Sequence, residues 1–194
     1  AASGVLAFDA DHAALWRPVA GEHGLEMQPV VSIPLAGDAA TGRAALDSVP
    51  RVVYGGASAP ARVAVALPAK SVLRRSLVLP AAVEENLLDA LAFDLDRHTP
   101  FKADELYFDA TVTGRDPSRN EIRVELAAAR RAIVDRAVAQ AESWGATVVA
   151  VTPEPGSTTE PSRLNLLPAE RRPAPGAGAW LRIWAPLALL LALC

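Results

Sequence analysis

Val72-Leu73-Arg74-Arg75-Ser76-Leu77-Val78-Leu79-Pro80, followed by Val83, Leu87, Leu88, Leu91 and Leu95, is the stretch from which the fold is read. Its first nine residues are β-prone and stop at a proline. The apolar residues after them recur at three- and four-residue steps, the mark of one buried helical face. Glu84 and Glu85 in the first turn and Arg97 and His98 in the last suit the helix dipole. Pro100 stops the helix, because the residue before a proline avoids helical geometry.

The pattern continues downstream. Leu106, Phe108, Ala110 and Val112 alternate with Tyr107, Asp109, Thr111 and Thr113, a half-buried strand. Gly114 to Asn120 reads as a turn, and Ile122, Val124, Leu126 and Ala128 as its hairpin partner. Ile133, Val134, Ala137, Val138, Ala141 and Trp144 form a second helical stripe, with Gly145 just past its end. Ala146 to Val151 is a final strand. Strand, helix, strand, strand, helix, strand is the order of a ferredoxin-like β-α-β-β-α-β unit, expected here over residues 69–152.

Upstream, residues 1–68 read as a sheet-rich portion. Gly4 to Phe8, Ala13 to Val19, Leu25 to Ile33, Arg51 to Tyr54 and Arg62 to Leu67 are β-prone, and Asp38 to Ser48 suits a short helix. The fold class is α/β, of the α+β kind.

Downstream, residues 153–163 are rich in Pro, Ser, Thr and Glu and read as a linker. Leu164-Asn165-Leu166-Leu167-Pro168 follows, an apolar motif with no helix or sheet of its own to join. Burying three leucines is worth several kcal/mol at about 25 cal/mol per Å2. The expected outcome is docking as an extended peptide, in a groove of this domain or of a partner. Arg163, Arg171, Arg172 and Arg182 lie beside an apolar run that the C-terminus cuts off. A membrane helix needs roughly 20 apolar residues, and Ile183 to Cys194 supplies about half of that. Residues 164–179 are therefore expected to be a juxtamembrane segment and residues 180–194 the start of a span. Arg171, Arg172, Trp180, Arg182 and Trp184 would sit at the interface, with the arginines marking the inside. The competing reading is a buried C-terminal helix of a soluble domain.

Chemistry-bearing motifs are sparse. The net charge of −3 implies no general affinity for nucleic acid. The one cysteine, Cys194, provides neither a disulfide framework nor a zinc site. Gly55-Gly56 lacks the lysine and following helix of a phosphate loop. Asp9 and Asp11 suit a tight turn better than a magnesium site. His12, His23 and His98 have no ligand spacing. No catalytic, cofactor-binding or metal residue is assigned. Arg74-Arg75 and Arg130-Arg131 are basic pairs that suit either an acidic partner or solvated element ends.

Several pieces in order carry a resemblance: Val65-Ala66-Leu67-Pro68, Leu77-Val78-Leu79-Pro80, Asp96-Arg97-His98-Thr99-Pro100-Phe101, Tyr107-Phe108-Asp109, and Ala127-Ala128-Ala129-Arg130 with Val134-Asp135. Residues 62–151 resemble the PilM-like cytoplasmic proteins of type IV pilus assembly. They are also similar to the cytoplasmic part of GspL, the inner-membrane platform protein of type II secretion. Asn165-Leu166-Leu167-Pro168 resembles the N-terminal motif of PilN, which in that family docks on PilM just before a membrane helix. The resemblance implies a partial actin-like (RNase H-like) architecture and a non-enzymatic role at the bacterial inner membrane, with this portion facing the cytoplasm. It implies recruitment of the secretion ATPase through that ATPase's N-terminal domain, a GspM-like single-span partner, and a homodimer. A pilus-assembly scaffold of the PilM/PilN type is the alternative, and an actin-like ATPase a further one. Actin-like ATPases carry a glycine-rich phosphate loop in the first hairpin, where this chain has Phe8-Asp9-Ala10-Asp11-His12. No cofactor is expected.

Overall fold

Strands form where apolar and β-branched residues lie between turn formers, and helices where apolar residues recur at three and four. The computed structural model describes residues 4–21, 24–49, 61–153 and 164–172. In chain order the elements are β1 (Gly4–Phe8), β2 (His12–Gly21), β3 (Gly24–Pro34), α1 (Ala39–Ser48), β4 (Arg62–Leu67), β5 (Val72–Pro80), α2 (Leu87–His98), β6 (Leu106–Asp116), β7 (Glu121–Arg130), α3 (Arg131–Ser143) and β8 (Thr147–Pro153).

The strands make two sheets. One has the order β3-β2-β1-β4-β8. Its first three strands are an antiparallel meander, and β4 and β8 add in parallel. This is the partial actin-like, RNase H-like arrangement within a mixed α/β chain. The other sheet is antiparallel, in the order β5-β7-β6. That is the strand order of a ferredoxin-like unit without its last strand. The expected elements are all present from residue 72 to 153, but β8 does not join β5. It pairs in parallel with β4, Val63 opposite Val148 and Val65 opposite Val151. The reason lies in α3. Its Val134, Ala137, Val138 and Ala141 are buried against the five-stranded sheet, so the helix delivers the chain to that sheet's edge. A boundary near residue 68 therefore divides the order of elements, and β8 crosses back over it.

Each sheet has its own core, and β7 serves both. Its Ile122, Val124, Leu126 and Ala128 face α2, where Leu91 and Leu95 are buried. Its Ala127 and Ala129 face the larger core with Leu6, Leu15, Val65 and Trp144. Successive strand residues point to opposite faces, so one strand can floor two cores.

Local chemistry fixes the joints. Asp38 caps α1, accepting from Thr41 N at 2.8 Å and from Thr41 Oγ1 at 2.6 Å. The Thr41 hydroxyl bond, with the backbone bond behind it, holds the Asp38 carboxyl below its ordinary pKa of 3.8. α1 packs on Trp144 through Gly42, where a Cβ would lie 2.2 Å from the indole. Trp144 in turn stacks on Phe8, ring centroids 5.9 Å apart. Gly145 ends α3 at φ +83°, the left-handed region that favours glycine.

The helix expected to start at Pro80 is entered more slowly. Residues 81–86 form a 3-10 turn, and Asn86 at φ −123°, ψ 38° interrupts it before α2 begins. β6 runs past its alternating stretch to Asp116, because a bulge between Val112 and Gly114 keeps it in register with β7. Arg51 to Tyr54, Gly55-Gly56 and the apolar run 183–194 lie outside the described residues. Among the described residues no helix is long and apolar enough to cross a membrane.

Candidate docking groove

β8 is the last strand of its sheet. An open edge is a row of unpaired N–H and C=O groups, a ready template for a further strand. Residues 164–172, here called the strap, lie along that edge. Leu166 N donates to Val151 O at 2.7 Å. The Asn165 side chain does what a backbone carbonyl does in a full strand: its Oδ1 accepts from Val151 N at 2.9 Å and from Leu167 N at 3.0 Å. The Asn165 backbone N–H donates to Asp109 Oδ2 at 2.7 Å.

Leu164, Leu166 and Leu167 are buried at 2%, 1% and 1% exposure, inside the larger core. Full burial of each leucine contributes about 1.5–3 kcal/mol, so the apolar term dominates the seat. Pro168 is half-buried. Room for the strap comes from β7, where alanines stand opposite the larger groove residues: Ala129 pairs with Tyr107 and Ala127 with Asp109.

The far end of the strap is held by polar contacts. Arg172 Nε donates to Leu167 O at 2.8 Å, and Arg172 Nη2 to Asn165 O at 2.9 Å. Arg171 pairs with Asp135 on α3 at 2.6 Å, and both side chains are about half exposed. The Tyr107 hydroxyl donates to the same Asp135 oxygen at 3.3 Å. Behind it, the Arg131 guanidinium lies 4.9 Å from the Tyr107 ring centroid, and its Nε donates to Leu106 O at 3.1 Å.

The structure thus brings Leu164, Asn165, Leu166, Leu167, Pro168, Arg171 and Arg172 together. Arg171 is engaged by the domain's Asp135 and Arg172 by the strap's own carbonyls, while Trp180, Arg182 and Trp184 lie outside the described residues. From periodicity alone Asp109 is an outward residue of an alternating strand and Asp135 has no role. The signal was there: Tyr107-Phe108-Asp109 and Val134-Asp135 are both among the pieces that carry the family resemblance.

In the first hairpin, Asp9 N donates to His12 O at 2.8 Å, and Asp9 Oδ1 accepts from Ala10 N at 2.7 Å. The Asp9 carboxylate serves its own turn. Among the described residues no three His, Cys, Asp or Glu side chains are grouped so that they could hold a metal ion.

The family model described as type IV pilus assembly protein PilM matches residues 19–155. Over 106 residues, 55% of this chain, the sequence is 37% identical to a type II secretion system protein L of Xanthomonas campestris pv. campestris. Those residues are 28% of that relative, so the chain spans little more than a quarter of its length. Among solved structures, the cytoplasmic domain of EpsL, described as an inner membrane component of the type II secretion system of Vibrio cholerae, aligns with a TM-score of 0.50 at 17% identity. The alignment covers 77% of this chain and 55% of that one. A PilM-PilN type IV pilus biogenesis complex aligns with a TM-score of 0.59 at 19% identity, covering 80% and 48%. At these identities the two structures speak for the fold.

Proposed function

We propose a function from one premise: the chain belongs to the PilM family of type IV pilus assembly proteins. The reading is a non-enzymatic platform component of a type II secretion system. Its folded domain faces the cytoplasm and holds the secretion ATPase, through that ATPase's N-terminal domain, near the inner membrane. Residues 180–194 begin the anchor, and Trp180, Arg182 and Trp184 sit at the interface. A GspM-like single-span protein and a second copy of the chain complete the assembly.

The observation that carries this is the strap. A peptide resembling the PilN motif is seated on a PilM-like domain within one chain, its leucines buried and Asn165 completing the β8 edge. Seven residues, 173–179, separate Arg172 from residue 180, where the expected anchor begins. Seating the strap fixes the point at Arg172 from which the chain continues toward that anchor, so a load on the domain reaches the strap through packed side chains. The mechanism is grip, and no turnover is needed for it.

Co-purification tests the reading. The chain should retain the N-terminal region of a secretion ATPase, and a chain that retains none would break the proposal. Calorimetry with ATP and magnesium should give no heat of binding, and a saturable heat would favour an actin-like ATPase instead. The alternative is a pilus-assembly scaffold of the PilM/PilN type, favoured by the family description and by the PilM-PilN neighbour. Retention of a pilus ATPase in preference to a secretion ATPase would select it.

A further inference from the structure

A groove of about 280 Å3 opens at one end of the smaller sheet, with Lys70, Val72, Thr99, Phe101, Ala129 and Arg130 among its lining residues. No acidic residue lines it, although the chain as a whole carries a net charge of −3. Lys70 and Arg130 are exposed, and neither makes an ion pair among the described residues. Arg130 is nonetheless held in place. Its guanidinium lies over the Phe101 ring, 5.4 Å from the centroid, which leaves the N–H fork free for a planar acceptor. Phe101 itself is 38% exposed. The loop that carries it is fixed, because Thr99 Oγ1 donates to Phe101 O at 2.8 Å and accepts from Phe101 N at 3.3 Å.

A chain of side-chain contacts links the groove to the strap's seat. Leu106, in its lining, accepts from Arg131. Arg131 lies on Tyr107, Tyr107 bonds to Asp135, and Asp135 holds Arg171 of the strap.

We propose that this groove docks an extended, carboxylate-rich segment of a partner protein, a proposal that rests on the reading of this domain as a recruiting platform. Lys70 and Arg130 supply the charge, and the partly exposed Val72, Leu73 and Ile133 give an apolar floor for the segment's aliphatic side chains. A lone small anion would use the cations and leave that floor bare.

The probe is a fluorescein-labelled peptide of alternating Glu and Ala, read by anisotropy on the full chain beside its Lys and Ala counterpart. The acidic peptide is expected to bind and the basic one not. Lys70→Glu with Arg130→Glu should weaken binding about tenfold or more through like-charge repulsion. Arg136→Glu, on the exposed face of α3, should leave it unchanged. If the double variant melts early, Lys70→Gln at its exposed site gives the readout, with a loss of about threefold expected. Unchanged binding in the charge variants overturns the proposal, as does displacement of the peptide by an equal concentration of inorganic phosphate. The two readings fail separately. Retention of the ATPase fragment by a wild-type chain whose peptide binding is unchanged in the Lys70→Glu/Arg130→Glu variant keeps recruitment and overturns the groove. Failure of the wild-type chain to retain it overturns recruitment, and the peptide still decides the groove.

Discussion

Two sheet edges in this molecule are treated in opposite ways. β8 ends the larger sheet with Val148 and Val151 buried, and the strap covers it. β5 ends the smaller sheet with Arg74, Arg75 and Ser76 exposed, and among the described residues no strand lies beyond it. Arg74 is tied to Glu125 of β7 across the solvent face. An edge carrying charge resists pairing with another chain, whereas an apolar edge invites it. β8 is thus an edge to be occupied, and β5 one to be left alone.

The sharpest way to break this contrast is to unseat the strap. Leu166→Asp with Leu167→Asp places two charges at sites with 1% exposure. Even truncation of one such leucine to alanine costs about 2–5 kcal/mol. The amide spectrum should change throughout β8, α3 and β6 and the chain should aggregate, and an unchanged spectrum would show that the strap does not dock. Next in size is Asn165→Ala, which strips the acceptor from Val151 N and Leu167 N. Leaving such groups unpaired costs about 1–3 kcal/mol, readable in urea denaturation. Asp135→Asn removes the half-exposed pair with Arg171 and should cost less than about 1 kcal/mol, shrinking further at high salt.

Acid tests the smaller sheet separately. Arg115, bonded to Glu84, holds the Glu84 carboxyl below its ordinary pKa of 4.5. A depressed carboxylate contributes stability that is full above the unfolded value and lost as pH falls through the folded one. The melting temperatures of wild type and Glu84→Gln should therefore differ at neutral pH and converge as pH drops below 4.5. The smallest effect is expected at Arg75→Val. Its melting temperature should barely move, while light scattering on standing should rise as β5 loses a guard.

Much of the fold was legible. The stripe Leu91 and Leu95, the strand Arg62–Leu67 and the stop at Gly145 all follow from local rules. The destination of β8 was not, because periodicity names a strand and does not choose its neighbour. That choice was made by α3, whose small buried residues fit the five-stranded sheet. The apolar motif at 164–168 stood out because three leucines between polar stretches need a place to go. Its polar partners did not stand out. Asp109 is an ordinary outward residue of an alternating strand until Ala127 opposite leaves space for a peptide beside it.

Ten residues, 154–163, separate the end of β8 from the start of the strap. A tether that short holds its segment at an effective concentration in the millimolar range. A free peptide of the same sequence, making the same contacts, must exceed that concentration to compete for the β8 edge. A rival that works in the micromolar range therefore needs contacts of its own beyond those the leucines and Asn165 already make.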